Sequence, residues 1–180
     1  NALKNNEITP YYQPKININN NQIQSVEVLA RIVSNKNERV ILPSRFISLA
    51  EQCDLINDIT FTLFEKACSD LKQLKEQLGE NLKLSFNMSP CQLNDLNCPN
   101  KLLLLLQKYD VLPSDVVVEI TEQHALSSYT QLETLNRFRI FGFGISLDDF
   151  GTGFTNINQL KQLPFTEVKI DRSFISHIET

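Results

Sequence analysis

Short β-rich segments alternate with amphipathic helical segments along most of the chain. One of them, "DVVVEITE" at 115–122, carries a run of valines. Such a run predicts a strand that is buried on both faces, which is typical of parallel sheets. Strands alternating with helices over most of a sequence predict an α/β fold. Six strands are predicted, at 11–18, 22–31, 82–90, 115–122, 142–149 and 166–175.

The segments between the strands carry helix signals. Asp54 is a predicted N-cap for a long amphipathic helix that ends at Gly79. Ser128 and Gln131 form a capping-box pattern at the start of a helix that ends near Gly142. Shorter helices are predicted over 43–53, up to residue 109 and over 154–163.

Length and charge exclude several classes of protein. A chain of 180 residues is long enough for one sizeable domain. Its longest apolar run, Leu102–Leu106, is far shorter than the roughly 20 residues that span a bilayer, so we expect no membrane insertion. The formal net charge of -4 argues against a nucleic-acid partner. A phosphodiester ligand would therefore need metal ions to offset its charge.

The cysteines and the N-terminus bear on location. Cys53, Cys68, Cys91 and Cys98 include no CxxC pair, which argues against a zinc knuckle. We interpret them as reduced thiols of a cytoplasmic protein. The N-terminal residues lack the basic and apolar regions of a signal peptide. Since the sequence also lacks an initial Met, we expect it to be a piece of a longer protein.

Polar residues lie within the predicted strands or at their ends. In a (β/α) barrel, the carboxyl ends of the strands form the floor of the active site, so that fold would bring these residues together. The set comprises Glu27, Asn87, Glu119, Asp148, Asp149, Lys169 and Asp171.

Converging carboxylates and an amide oxygen would repel one another unless cations were bound. Hard oxygen ligands favour Mg²⁺ or Mn²⁺ over zinc, and the two histidines, His124 and His177, are not beside these strand ends in the sequence. The adjacent Asp148 and Asp149 fit a site with two ions, as used in phosphodiester hydrolysis. Lys169 would add a fixed positive charge near the phosphate or its water.

Each of these residues alone also has a plain structural interpretation. Glu27 fits a solvated strand face, Asn87 fits a strand end, and Lys169 fits a lysine whose stem covers apolar surface. Glu119 and Glu122 fit charges at the rim of a sheet. The functional hypothesis depends on the whole set.

At these residues the sequence resembles the EAL domain, a bacterial family of cyclic di-GMP phosphodiesterases. The resemblance covers nearly the whole chain, and its motifs occur in order. They are "YYQPK" at 11–15, "EVLAR" at 27–31, "FISLAE" at 46–51, "FNMSP" at 86–90, "EITE" at 119–122, "DDFGTGF" at 148–154 and "VKIDRSFI" at 168–175.

The resemblance implies a TIM-like (β/α) barrel whose first strand runs against the others. It also implies hydrolysis of cyclic di-GMP to linear pGpG at a site with two Mg²⁺ or Mn²⁺ ions. Asp149 resembles the residue bound to the second metal ion, with Asp171 beside it. The primary metal ligands would be Glu27, Asn87, Glu119 and Asp148.

The resemblance implies further roles around the metal site. Lys169 and Glu122 are the catalytic candidates: Lys169 would contact the catalytic water, and Glu122 would anchor the loop after the double Asp. Gln13 and Arg31 match substrate contacts. The family also implies cytoplasmic signalling, a homodimer, and a GGDEF or sensory domain in the parent protein.

The sequence departs from the family pattern in two ways. Val28 stands where the signature triplet has Ala, which predicts a packing adjustment only. A full barrel takes about 250 residues, whereas this chain ends shortly after its sixth predicted strand. Residues 1–180 would then form an EAL domain that covers about the first six strands and lacks the last barrel segments, including the family's "EGVET" segment.

Two functional interpretations follow. The first is a phosphodiesterase, because every recognisable ligand through Asp171 is retained. The second is a catalytically inactive EAL domain that acts as a cyclic di-GMP receptor or a protein-interaction module, because the C-terminal segments are missing and the signature triplet is altered. For the 180-residue chain alone we expect little or no turnover.

Overall fold

The computed structural model describes residues 2–34, 39–122, 128–152, 160 and 163–176. Within these ranges the chain forms seven strands and four α-helices. The strands are β1 (Ile8–Asn17), β2 (Gln22–Val33), β3 (Val40–Ile41), β4 (Lys83–Asn87), β5 (Val116–Thr121), β6 (Gly144–Phe150) and β7 (Glu167–Ile170). The helices are α1 (Ile47–Gln52), α2 (Ile56–Leu78), α3 (Cys98–Lys108) and α4 (Tyr129–Ile140).

All seven strands belong to one sheet, with the order β1-β2-β4-β5-β6-β7 and with β3 beside β2. β1 is antiparallel to β2, and every later step along this path is parallel. The prediction of a mostly parallel α/β sheet with an antiparallel first strand is therefore confirmed. In the described ranges β1 and β7 are the two ends of the path and do not pair with each other, so the sheet is an open barrel.

The sheet has one apolar and one polar face, because side chains alternate along each strand. The apolar face packs against the helices and forms the core, which α2 covers with residues such as Leu63 and Phe64. Phe64 stacks on Phe86 of β4 with ring centroids 4.0 Å apart. The buried sheet residues of this core include Val26, Val28, Leu84, Phe86, Val118, Ile120, Ile145 and Leu147.

Two helix ends agree with the sequence signals. The Ser128 hydroxyl accepts a hydrogen bond from the Gln131 backbone N–H at 3.2 Å, so the predicted N-cap of α4 is confirmed. Gly79 directly follows α2 with a φ of +124°, a backbone conformation that favours glycine.

The predicted cap at Asp54 is wrong. Asp54 has a φ of +56°, and it ends α1 instead of starting α2. The backbone N–H groups of Asp54 and Leu55 donate to the carbonyls of Glu51 and Ala50, which is the Schellman pattern of a helix C-terminus. Among the described residues, no side chain caps the N-terminus of α2.

Two strand predictions also need correction. The last strand ends at Ile170 because the Asp171 carboxylate accepts a hydrogen bond from the Ser173 N–H and starts a 3-10 turn over Arg172–Phe174. β3 was not predicted, since a two-residue strand has no periodicity to detect; it pairs with Ile32 and Val33 of β2.

The four thiols are free, with Cys53 and Cys91 exposed and Cys68 and Cys98 buried. Across the described part of the chain, every helix is too short or too polar to cross a bilayer.

Candidate active site

The polar face of the sheet carries the residues that the sequence singled out. Glu27 pairs with Ser85, Asn87 pairs with Glu119, and Thr121 pairs with Asp148 in neighbouring parallel strands. Residues in register point to the same face of a sheet. The strand order and the period of two therefore place Glu27, Asn87, Glu119 and Asp148 on one surface.

Three carboxylates converge on the ammonium group of Lys169. Its Nζ donates to Glu27 Oε2 at 3.1 Å, to Glu119 Oε2 at 2.8 Å and to Asp148 Oδ2 at 2.9 Å. These residues come from β2, β5 and β6, while Lys169 lies on β7. Burial lowers the pKa of Lys169, but contacts with Glu119, Asp148 and Glu27 outweigh it and raise the pKa above its ordinary value. One ammonium faces three carboxylates, so the cluster carries excess negative charge.

Asn87 extends this cluster towards a cavity. Its Nδ2 donates to Glu27 Oε1 at 2.7 Å. Beside it lies a cavity of about 400 Å³ between β2, α1, α2 and the loop after β4. Asn87 and Glu119 line it together with other polar residues such as Glu51 and with apolar residues such as Ile47 and Leu63. A recess that combines apolar side chains with several polar groups is typical of small-molecule sites.

The loop after Asn87 is held by a buried glutamine. Gln92 Oε1 accepts from the Ser89 N–H at 3.1 Å and from Thr60 Oγ1 at 3.4 Å. Gln92 Nε2 donates to Asn57 Oδ1 at 3.0 Å. The two α2 residues thereby fix the loop that forms one wall of the cavity.

Asp149 and Asp171 lie at the edge of the cluster. Burial, followed by the charges of Asp148 and Asp171, raises the pKa of Asp149. Hydrogen bonds from Ser173 instead lower the pKa of Asp171. The raised pKa of Asp149 thus reflects burial first and the neighbouring carboxylates second.

A hydrogen bond joins the loop after β6 to the end of β5. The backbone N–H of Gly151 donates to Glu122 Oε2 at 2.8 Å, and Glu122 is buried. Gly151 has a φ of +101°, and a Cβ built on it would clash with the ring of Phe174. Glu122 thus contacts the loop that the family resemblance assigns to it, and glycine is required there by both conformation and space.

The two predicted substrate contacts lie on the same side of the cluster. Gln13 of β1 pairs directly with Glu27. Arg31 lies four residues beyond Glu27 on β2, and its guanidinium is 5.5 Å from the centre of the Tyr11 ring. Arg31 also donates to its neighbour's carbonyl, Ala30 O, at 2.9 Å. Gln13 and Arg31 thus lie on the β1–β2 side of the carboxylates.

Sequence reasoning missed a second charged group beneath the first. Lys15 Nζ contacts Glu119 Oε1 at 2.6 Å and Glu167 Oε1 at 2.9 Å. Side chains two positions apart on a strand point to the same face. Because Lys15 follows Gln13 by two positions and Glu167 precedes Lys169 by two, this period indicated that both residues lie on the polar face.

The oxygen atoms of these side chains are of the chemical type that binds a divalent cation. Glu27, Glu119, Asp148 and Asn87 supply hard oxygen ligands, as Mg²⁺ and Mn²⁺ prefer. Within the described ranges, however, no three His, Cys, Asp or Glu side chains form a ready metal-binding group. The geometry around Lys169 gives the reason, because its ammonium lies where the three carboxylates meet.

Several residues discussed from the sequence lie outside the described ranges: His124, His177, Gly153 and most of the predicted helix over 154–163.

Comparisons with known proteins give the family context. The EAL domain family matches residues 1–180. The chain is 35% identical over 180 residues to the cyclic di-GMP phosphodiesterase RocR of Pseudomonas aeruginosa, which covers 99% of this chain and 45% of that protein. It is 33% identical to the oxygen sensor protein DosP of Escherichia coli, over 99% of this chain and 22% of that protein. The chain therefore spans less than half the length of these curated relatives.

A solved structure shows the same fold. The chain is similar to the PaMucR phosphodiesterase in its complex with c-di-GMP, with a TM-score of 0.89 and 31% identity, covering 98% of this chain and 72% of that one. The likeness thus extends over nearly all of the chain. With a family match along its whole length and this structural agreement, the chain belongs to the EAL domain family.

Proposed function

We propose that this chain provides the catalytic face of a metal-dependent phosphodiesterase that hydrolyses cyclic di-GMP to linear pGpG. The observation that carries the proposal is the convergence of Glu27, Glu119 and Asp148 on one point, within 3.1 Å of Lys169 Nζ. Carboxylates from three separate strands are held together at a cost that a structural role alone does not explain.

The proposed cation ligands are Glu27, Asn87, Glu119 and Asp148, with Asp149 and Asp171 serving a second ion. Bound Mg²⁺ or Mn²⁺ would polarise a phosphoryl oxygen and lower the pKa of an attacking water. Asp149 follows Asp148 directly in β6, which supports a cation at that edge of the cluster.

The protein side chains have separate proposed roles. Lys169 keeps a proton at physiological pH, since its pKa is raised, and so supplies a permanent positive charge beside the phosphate and water. Arg31 offers a guanidinium to the second phosphate, and Gln13 binds the ligand beside it. Glu122 keeps the loop at Gly151 in place through its hydrogen bond at 2.8 Å.

The cavity beside Asn87 supports a nucleotide substrate. Its volume of about 400 Å³ and apolar lining residues such as Ile47 and Leu63 suit a planar base, and Asn87 and Glu119 connect it to the carboxylate cluster. The similar PaMucR phosphodiesterase was solved as a complex with c-di-GMP. A cyclic dinucleotide could then place one base in the cavity and a phosphodiester over the cluster.

The test is an assay of the full-length gene product with cyclic di-GMP and Mn²⁺, with pGpG followed by chromatography. We expect product from the unaltered protein and none from Glu27→Gln, which keeps the shape but loses the charge. Glu133→Gln is the matched control, since Glu133 pairs with Arg137 on α4 away from the site. Equal product from Glu27→Gln and Glu133→Gln would refute the assignment of Glu27.

The second candidate is a cyclic di-GMP receptor without turnover. It is favoured by the position of Lys169, whose ammonium already neutralises part of the cluster. Saturable binding of cyclic di-GMP without pGpG would establish this function. Absence of both binding and product would point to a protein-interaction module.

We further propose that the domain acts in the cytoplasm, as a homodimer, beside a GGDEF or sensory domain. The names of the relatives support the sensory or cyclase partner, since they include an oxygen sensor and a bifunctional diguanylate cyclase/cyclic di-GMP phosphodiesterase.

A further inference from the structure

Lys15 joins three strands across the polar face. Its Nζ donates to Glu119 Oε1 at 2.6 Å, to Glu167 Oε1 at 2.9 Å and to Ser85 Oγ at 3.2 Å. Lys15 lies on β1, whereas these three partners lie on β5, β7 and β4. The long lysine side chain therefore crosses the interior of the open barrel.

The interior has room for this side chain because its neighbours are small. Ser85 and Ser146 are fully buried on the same face, and Gly144 follows in the next row, where a Cβ would meet Val117 at 3.0 Å. Of these residues, Ser85 contacts Lys15 directly, through the hydrogen bond at 3.2 Å.

Glu119 is the residue that connects the two charged groups. One of its oxygens contacts Lys15 and the other contacts Lys169, and its side chain has no exposed surface. A buried carboxylate is costly unless it is paired and hydrogen-bonded. Since each oxygen has its own ammonium partner, rotation of the carboxylate would break both contacts.

We propose that Lys15 is a positioning residue for the metal site: it holds Oε1 of Glu119, so that Oε2 stays directed at the cluster of Glu27, Asp148 and Lys169. The inference rests on the proposed function, which makes Glu119 a metal ligand. Glu167 is the counterpart that holds Lys15, and Ser146 Oγ donates to Glu167 Oε1 at 3.2 Å. Lys15 is not among the described residues that line the cavity beside Asn87. The ion pairs of Glu27 and Asp148 in the described part of the chain are with Lys169, not with Lys15.

The experiment measures Mn²⁺ affinity without nucleotide, from the free-ion signal in electron paramagnetic resonance, on the full-length gene product. We expect Lys15→Met to weaken Mn²⁺ binding about 10- to 100-fold, as is typical when the partner of a metal ligand is removed. Lys15→Arg should bind more tightly than Lys15→Met, because it restores an N–H donor to Oε1 of Glu119. A side chain needed only to fill space would be replaced well by Met.

The matched control is Lys75→Met. Lys75 also forms a partly buried ion pair, with Asp115 at 2.7 Å, but it lies on the outer helix α2. Its variant should keep the Mn²⁺ affinity of the unaltered protein. In a Glu119→Gln background, Lys15→Met should produce no further loss, since its effect is transmitted through Glu119.

Two results would overturn the inference. Lys15→Met with unaltered Mn²⁺ affinity would remove the positioning role, and an equal loss in the Glu119→Gln background would show that Lys15 acts elsewhere. If Lys15→Met does not fold, Glu167→Gln is measured in its place. Its Mn²⁺ affinity should be several-fold weaker than that of the unaltered protein, and an unaltered affinity would count against the proposal. Absence of Mn²⁺ binding by the unaltered protein would instead refute the proposed metal site, and this inference with it.

Discussion

Lys15 and Glu167 lie 152 positions apart in the chain, on the first and last strands of the sheet, and their side chains meet at 2.9 Å. In a flat sheet, strands spaced about 4.8 Å apart would separate the two edges by about 24 Å over five steps. A lysine and a glutamate cannot bridge such a gap. This contact therefore establishes that the sheet is rolled towards a barrel, with the charged residues inside.

Replacing Lys169 with Met should destabilise the metal-free protein. The change leaves three carboxylates without their shared cation, at a cost of about 3–5 kcal/mol. Mn²⁺ should then raise the melting temperature of Lys169→Met more than that of the unaltered protein, because the cation takes over the lost charge. Differential scanning fluorimetry with and without Mn²⁺ measures both effects.

Lys101→Met is the control for this experiment. The Lys101–Asp95 pair is 2.7 Å long but largely exposed, so its loss should cost under about 1 kcal/mol. A metal-free Lys169→Met protein as stable as Lys101→Met would contradict the prediction.

Replacing Gly151 with Ala should cost more than replacing Gly79 with Ala. Both glycines have positive φ values, +101° and +124°, so each change strains the backbone by about 1–3 kcal/mol. Only at Gly151 would the new methyl group also clash with a ring, that of Phe174, since among the described residues nothing lies within 4 Å at Gly79. Urea unfolding of both variants gives the difference.

Phe174→Ala in the Gly151→Ala background isolates the steric part. Without the Phe174 ring, the loss of unfolding free energy caused by Gly151→Ala should fall to that caused by Gly79→Ala. If the two single variants unfold at the same urea concentration, the ring contact contributes nothing.

Two of the four thiols should react in the native protein. Cys53 and Cys91 are exposed, whereas burial raises the pKa of Cys68 and of Cys98 to about 12. At pH 8 the buried pair therefore stays protonated and inaccessible. Mass spectrometry after iodoacetamide treatment should find two labels under native conditions and four in guanidinium. A third native label would show that the helix packing around Cys68 or Cys98 opens.

Stability should fall as the pH rises above about 10. Burial and the hydrogen bond to Asp70 raise the pKa of Tyr12, and ion pairs outweigh burial to raise the pKa of Lys15 and Lys169. Above the ordinary values of about 10, the unfolded chain loses protons that the folded chain retains, so the free energy of unfolding decreases with pH.

The urea midpoint between pH 8 and 11 tests this dependence. Tyr12→Phe should flatten the curve. The variant lacks the hydroxyl that donates to Asp70 at 2.6 Å, so one of the groups whose pKa is raised on folding no longer titrates. A midpoint that rises between pH 9 and 11 would contradict the sign.

The sequence predicted most of the strands and the polar face well, because both depend on local period and on motifs. Glu27, Asn87, Glu119 and Asp148 lie together as expected. The prediction at Asp54 failed because two local signals compete there, and the C-terminus of α1 prevails over the start of α2.

The second charged group was missed for a different reason. The period of two places Lys15 and Glu119 on the polar face, but they are 104 positions apart, and nothing in either local sequence pairs one with the other. Lys15 alone fits an ordinary surface lysine, and Glu167 alone fits a strand-end charge. Their side chains come into contact only because the sheet is rolled.

The separation of the two faces of the sheet has a consequence for evolution. The helices and Phe86, Val118 and Leu147 bury the apolar face, whereas the chemistry lies on the opposite face. A lineage can therefore exchange a carboxylate such as Asp148 for a neutral residue without opening a void among the helices. Loss of the proposed hydrolysis and loss of the fold would therefore be separate events in this architecture.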